Sequence, residues 1–254
     1  MTDSKKLVLL DVGGVIRDTS ISFDKGFKKG FESEGIEYKF NYRDIWNLMG
    51  LNGYNHVNQA TAALYCLAID GREDELHNIL RMPNAPDLLN KILIEKGINE
   101  NSKEVKTIYK ISLDYFHSNE SKGDVRIFDN INNSLKNFKN KDFTIGIFSN
   151  SSRRTLDRDL VNIDKSYLSI IMGSEDVERA KPYGDGIIKA MNILKIPPTN
   201  TYYVGDSVTD IMAARDAKCK SVAVLSGMGL RLHLEKEKPD YIFNDLYEAS
   251  IKLN

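Results

Sequence analysis

An α/β fold, a doubly wound parallel sheet carrying an inserted all-helical domain, is what the sequence predicts, on three observations. Short, continuously apolar runs recur along the chain, as strands buried on both faces require. In the second half of the chain these runs alternate with helical patterns, the order expected of a parallel sheet. Between the first run and the second lies a long stretch with helical periodicity almost throughout and no convincing strand.

The first run is residues 7–10 (LVLL), and it ends at Asp11. The helical stretch follows, with patterns at 23–35, 42–50, 57–69, 73–82, 87–97 and 103–116. Its polar end, 118–124 (SNESKGD), reads as the linker back to the sheet. A helix is expected over 129–140, then the second strand at 143–148 (FTIGIF). A weaker strand pattern at 167–172 (YLSIIM) and a helix at 185–195, stopped by Pro197 and Pro198, come next. Strands at 201–204 (TYYV) and 221–225 (SVAVL) follow, with 241–243 (YIF) as an edge. The domain reading is therefore a core of residues 1–17 and 121–254 and a helical domain of residues 18–120. No internal repeat or low-complexity tract interrupts it.

Bulk properties narrow the function. A chain of 254 residues can bury a substantial core. Lys+Arg total 35 and Asp+Glu 36, so no global field points to nucleic acid or an anionic membrane. Cys66 and Cys219 stand far apart and form no metal or redox motif, which suits a reducing compartment. Residues 1–4 lead directly into the first strand, with no signal-peptide pattern and no run long enough to span a membrane. A cytoplasmic location and a small-molecule partner are the expectation. Nothing in the sequence sets the oligomeric state.

In open parallel sheets ligands bind outside the carboxyl ends of the strands, so the polar residues there are informative. The first strand ends in Asp11, within 11–18 (DVGGVIRD). The second ends in Ser149 and Asn150, and the strand at 201–204 runs into Gly205 and Asp206, opening 205–217 (GDSVTDIMAARDA). Ahead of that strand stands Lys181, followed by a proline. Taken singly each element is ordinary: an acid, Ser or Asn after a strand is a common helix cap, and a lone lysine is commonly solvated. Acids at positions 206 and 210 after a glycine turn are suited either to a hard cation or to a capped helix start.

Together and in order, these residues resemble the haloacid dehalogenase superfamily, in its helical-cap branch similar to phosphoglycolate phosphatase and phosphonatase. Asp11 matches the acid of the first motif, Ser149 the hydroxyl of the second, Lys181 the lysine of the third, and Asp206 and Asp210 the acid pair of the fourth. The helical insert stands where that family carries a cap, and the family's core is a Rossmann-like sheet. The resemblance implies a magnesium-dependent (Mg2+) hydrolase of a small phosphorylated metabolite. Asp11 would be the nucleophile, forming an aspartyl-phosphate. Asp11, the backbone carbonyl of Gly13 and Asp206 would hold the metal, with Asp210 acting through a water. Lys181 would offset charge. Ser149 and the backbone N–H of Asn150 would grip the phosphoryl oxygens, and Gly14 fits a loop that approaches the ligand closely. The cap would close over the site and exclude water.

One position departs from the pattern. Typical phosphatases of the family carry a second Asp two residues after the nucleophile, as general acid and base. Here that residue is Gly13. Such a group contributes roughly 100- to 10,000-fold. The readings that remain are a phosphatase whose substrate has a good leaving group or its own proton donor, a phosphonatase-like or dehalogenase-like hydrolase of C–P or C–halogen bonds, and a catalytically impaired ligand-binding member. The stretch 49–56 (MGLNGYNH) resembles the phosphonatase cap loop, but Gly53 stands where the essential lysine would be. Dehalogenases lose the acid that Asp206 supplies here. Asp18 and His56 are candidates to stand in for the missing acid, against plainer readings as a hinge or cap residue and a surface loop residue. Arg43 and Arg153 read either as anion contacts or as solvated helix residues. Trp46 and Tyr54 are expected to pack within the cap. A positive φ at Gly13 would bar any side chain there.

Overall fold

The computed structural model describes residues 5–254; residues 1–4, and the reading placed on them, lie outside the described residues. The chain divides into two compact units, one of Met1–Asp18, Ile127–Gly227 and Leu234–Asn254 and another of Thr19–Arg126 and Met228–His233.

The first unit is built on six strands: β1 (Lys6–Leu10), β2 (Phe143–Phe148), β3 (Leu168–Met172), β4 (Thr201–Gly205), β5 (Lys220–Val224) and β6 (Tyr241–Phe243). Their order is β3-β2-β1-β4-β5-β6, and every neighbouring pair is parallel. Leu10 pairs with Ile147 on one side and with Val204 on the other. Side chains alternate across a strand, and β1 shows the result. Val8 and Leu10 enter a core with Leu135, Phe138, Leu156 and Leu246, whereas Leu7 and Leu9 enter another with Ile187, Ala190, Met191 and Ala213. Burial on both faces is why these strands read as unbroken apolar runs. β3 lies at an edge and is half-buried along much of its length, which explains its weaker pattern.

The second unit is helical: α1 (Ser20–Ser33), α2 (Tyr42–Met49), α3 (Val57–Ile69), α4 (Glu75–Leu80), α5 (Ala85–Lys96) and α6 (Lys103–Phe116). Local signals set its boundaries. Asn41 caps α2 by accepting from Arg43 N at 2.8 Å. α5 begins with Pro86 in its first turn and ends at Gly97, whose φ is +65°. Phe27, Phe31, Leu48, Leu64, Leu67, Leu80 and Ile108 are all fully buried in the core of this unit, with Met228 and Leu230 packed against it. The segment 228–233 joins the helical unit from a position well beyond 18–120 in the chain. Residues 120–124 form a short 3-10 turn at the end of the helical stretch.

The remaining helices belong to or border the sheet unit: α7 (Ile131–Asn140), α8 (Arg153–Asp159), α9 (Asp185–Leu194), α10 (Val208–Asp216), α11 (Arg231–Lys236) and α12 (Leu246–Lys252). Among the described residues no helix is long and apolar enough to cross a membrane.

Candidate active site

The strand order reverses between β1 and β4. From β1 the chain steps outward to β2 and β3, and on the other side from β4 to β5 and β6. A crevice opens at the carboxyl ends of strands at such a reversal. Asp11 leaves β1 there, its N–H donating to Val204 O of β4 at 2.9 Å. Asp206 leaves β4, Ser149 leaves β2, and Asp210 sits in the first turn of α10. All four are buried, Asp206 completely.

Asp11, Asp206 and Asp210 each offer a carboxylate oxygen within 4.8 Å of the others. Lys181, on the loop between β3 and α9, reaches into this cluster. Its Nζ lies 2.9 Å from Asp11 Oδ1 and donates to Asp210 Oδ1 at 2.7 Å. Burial disfavours the Lys181 ammonium, but the two carboxylates outweigh that and hold it protonated well above the ordinary lysine value. Burial pushes Asp11 upward against the pull of Lys181, and the charge of Asp210 adds to the push. Three buried acids facing one ammonium leave the cluster net negative. An all-oxygen, net-negative donor set is what a hard dication such as Mg2+ requires, so the residues present fit the metal.

Asp210 has little capacity left. Its Oδ2 accepts from Ser207 Oγ at 2.6 Å, Ser207 N at 2.9 Å and Asp206 N at 3.2 Å, forming a capping box at the start of α10. With Oδ1 taken by Lys181, this carboxylate holds the turn that carries Asp206 and orients the lysine.

The glycines after Asp11 differ sharply. Gly14 has φ +71°, and a Cβ built on it would stand 2.0 Å from Asp206 Oδ2. A Cβ on Gly227 would meet the same oxygen at 2.0 Å. The Asp206 carboxylate is thus closely flanked by two bare backbones, and Ser226 Oγ fastens the arrangement by donating to Gly14 O at 2.7 Å. Gly13 is the opposite case. Its φ is not positive, and nothing lies within 4 Å of a Cβ built there. The proposed conformational bar to a side chain at position 13 is absent; the left-handed residue is Gly14.

Asn150 acts through its side chain in a way the sequence did not suggest. Its Oδ1 accepts from Lys181 N at 2.9 Å and its Nδ2 donates to Lys181 O at 3.2 Å, clamping the backbone of the lysine. Tyr203, fully buried in β4, supports the same group. Its hydroxyl donates to Phe148 O at 2.9 Å, and Lys181 Nζ lies 5.6 Å from its ring centroid.

The other candidates are placed as follows. Thr19, not Asp18, occupies the N-cap position of α1, and it makes no side-chain cap bond. Arg153 is exposed and engaged, donating to Ile171 O at 2.8 Å and Asp176 Oδ2 at 2.7 Å. In the helical unit, His56 is exposed at the N-cap of α3, and Arg43 is exposed with its Nε on Tyr42 Oη at 3.0 Å. Trp46 and Tyr54 are each 2% exposed, and Tyr54 donates to Asn90 Oδ1 at 2.8 Å.

Comparison with known proteins bears on this geometry. A family model described as Haloacid dehalogenase-like hydrolase matches residues 72–224. That span contains Ser149, Lys181, Asp206 and Asp210, whereas residues 11–14 precede it. The Pyrophosphatase PpaX of Bacillus mycoides is 29% identical over 177 residues, 69% of this chain and 77% of that protein. The Phosphoglycolate phosphatase of Escherichia coli strain K12 is 26% identical over 151 residues, 58% of this chain and 60% of that protein. Matches to the first curated relatives span between 56% and 77% of their length. Among solved structures, a haloacid dehalogenase-like family hydrolase from Streptococcus pneumoniae superposes with TM-score 0.72 over 100% of both chains at 19% identity, a likeness of fold.

Proposed function

Because the chain belongs to the haloacid dehalogenase-like hydrolase family, we propose that it is a magnesium-dependent phosphatase of a small phosphorylated metabolite, working through an aspartyl-phosphate on Asp11. One observation carries this reading: the buried carboxylates of Asp11, Asp206 and Asp210 gathered around the Lys181 ammonium at the reversal of the sheet. The relatives named as a pyrophosphatase and as phosphoglycolate phosphatases support the substrate class.

In this reading Asp11 attacks phosphorus and the leaving oxygen departs as the new P–O bond forms. Water then cleaves the aspartyl-phosphate and releases inorganic phosphate. Lys181 neutralises the phosphoryl oxygens and Asp11 in turn, its direction fixed by Asp210 and the Asn150 clamp. Ser149 hydrogen-bonds a phosphoryl oxygen. Asp11, the Gly13 carbonyl and Asp206 would hold Mg2+, with Asp210 behind them, and the bound ion would offset the repulsion between two anions.

Every carboxylate of the cluster has a task in this scheme, and none is left to protonate the leaving group. Rate should therefore fall steeply as the leaving group becomes more basic, with anhydrides, acyl phosphates and aryl esters cleaved well and simple alkyl phosphates poorly. The test is phosphate release, with and without Mg2+, over a panel spanning those classes and including pyrophosphate, phosphoglycolate, phosphonoacetaldehyde and a haloacid. Phosphate release only with Mg2+, graded by leaving-group pKa, is the expected result. Metal-independent halide release would replace the reading, and a flat dependence on leaving group would show that another residue supplies the proton.

A further inference from the structure

Arg17 closes the loop that begins at Asp11. Its N–H donates to Val12 O at 3.1 Å, and its carbonyl accepts from Gly14 N at 2.8 Å. The side chain is in the interior at 2% exposure, and its guanidinium ion-pairs with Oδ2 of Asp159, whose side chain is fully buried. Arg158 Nε closes on the other oxygen, Oδ1, at 2.7 Å. Asp159 is the last residue of α8, the helix entered directly from Ser149–Ser152.

This is a costly arrangement. Arg17 Nε and Nη1 are buried without a hydrogen-bond partner. Burial pushes the guanidinium down to about 10, with Asp159 opposing. The neighbouring sequence supplies apolar core: Val15, Ile16, Leu156 and Leu160 share one cluster. In such surroundings two apolar side chains of similar volume are commonly as stabilising as a buried ion pair, or more so. Stability therefore gives no reason to keep charges here. What a directional buried ion pair, made here through Arg17 Nη2 alone, provides and an apolar contact does not is a single relative placement of the two elements it joins. Those elements lead from Asp11 and from Ser149.

We propose that Arg17 and Asp159 are positioning residues, which lock the Asp11 loop to α8 so that the Asp11 carboxylate and the Ser149 hydroxyl address the same phosphoryl group. The proposal rests on the phosphoryl-transfer reading above. Neither side chain touches the reacting atoms in this scheme; displacement of the groups they hold by about 1 Å is enough to cost up to ~100-fold in rate.

The test compares the wild type with Arg17→Met, Asp159→Leu, the double variant and Arg17→Lys, reading thermal midpoint, kcat and KM for the best substrate of the panel. Asp159→Leu strands the buried Arg17 guanidinium and should lose the more stability; Arg17→Met leaves Asp159 paired with Arg158 and should lose less. The double variant should recover most of the midpoint lost by Asp159→Leu, the lost Arg158 contact making the remainder, yet its kcat should stay about 10- to 100-fold low with KM little changed. Recovery of both midpoint and kcat in the double variant would show a purely structural pair and overturn the proposal. If the double variant does not fold, Arg17→Lys decides, because it keeps the charge but replaces the rigid planar guanidinium with a compact ammonium on a flexible stem: a kcat about threefold or more below wild type at an unchanged midpoint is expected, and a wild-type kcat overturns the proposal. A wild type that hydrolyses no phosphoryl compound would instead remove the reading on which the proposal rests.

Discussion

The sheet unit and the helical unit bury different things. Among the described residues, the sheet unit holds six charged side chains at 5% exposure or less: Asp11, Arg17, Asp159, Lys181, Asp206 and Asp210. Among the described residues, the helical unit buries, of its Asp, Glu, Lys, Arg and His side chains, only Asp44 at 8% and His233 at 5%. Buried charge is costly unless it is paired, and pairing rarely recovers the full desolvation cost. A region that concentrates it has given up stability for something else. The helical unit, with Phe27, Phe31 and Leu64 fully buried, is built for packing; the sheet unit has chemistry set into its core.

The largest expected effect breaks that contrast at its centre. Asp11→Asn should abolish turnover and covalent phosphorylation while leaving the unfolding midpoint at or above wild type, since it removes one of three clustered negative charges. Near-wild-type phosphate release by this variant would remove Asp11 from the mechanism. In the helical unit, Leu64→Ala should cost about 2–5 kcal/mol in urea unfolding, as a fully buried leucine does, and should leave Mg2+ affinity unchanged. A large fall in metal affinity there would show that the two regions are not separable in this way.

The fourth-motif acids sharpen the comparison within the sheet unit. Asp206→Ala should weaken Mg2+ binding about tenfold or more in titration calorimetry if Asp206 is the direct charged ligand proposed above. Asp210→Ala should weaken it less, yet lose about 1–3 kcal/mol of stability, because Ser207 N, Ser207 Oγ and Asp206 N lose their acceptor and Lys181 one of its two carboxylates. Equal and negligible effects on the metal would leave the segment as a capped helix start. The smallest structural effect belongs to Gly13→Ala, within about 0.5 kcal/mol by thermal unfolding, since the site accepts a Cβ without contact. The activity of Gly13→Asp should depend less on leaving-group pKa than that of the wild type.

The strands were legible because burial on both faces makes them continuous apolar runs, and the cap helices because each carries a clear period. The edge strand at Leu168–Met172 was faint for the same physical reason, being only half-buried along much of its length. The cluster of Asp11, Lys181, Asp206 and Asp210 was legible as residues in a known order, although nothing in the chain reveals that Asp210 is saturated with donors. Arg17 was not legible. An arginine next to an acid in a loop reads as solvated, and its burial depends on Asp159, far away in sequence. Asn150 was noticed for its backbone, whereas its side chain clamps Lys181. Gly227 was missed because a glycine in 226–229 (SGMG) reads as a turn; its role appears only when Asp206 lies against it.

Gly13 and Gly14 have opposite prospects under mutation. A glycine codon that ends in a pyrimidine becomes an aspartate codon by a single change at the middle base. At position 14 the newcomer meets Asp206 and a left-handed backbone, and selection for a folded site removes it. At position 13 its Cβ would meet no atom within 4 Å. The fold thus leaves a door open, to the first atom of a side chain, near the nucleophile. What a lineage entering by it would have to settle is charge rather than space, because a carboxylate there would join the acids already gathered at Asp11.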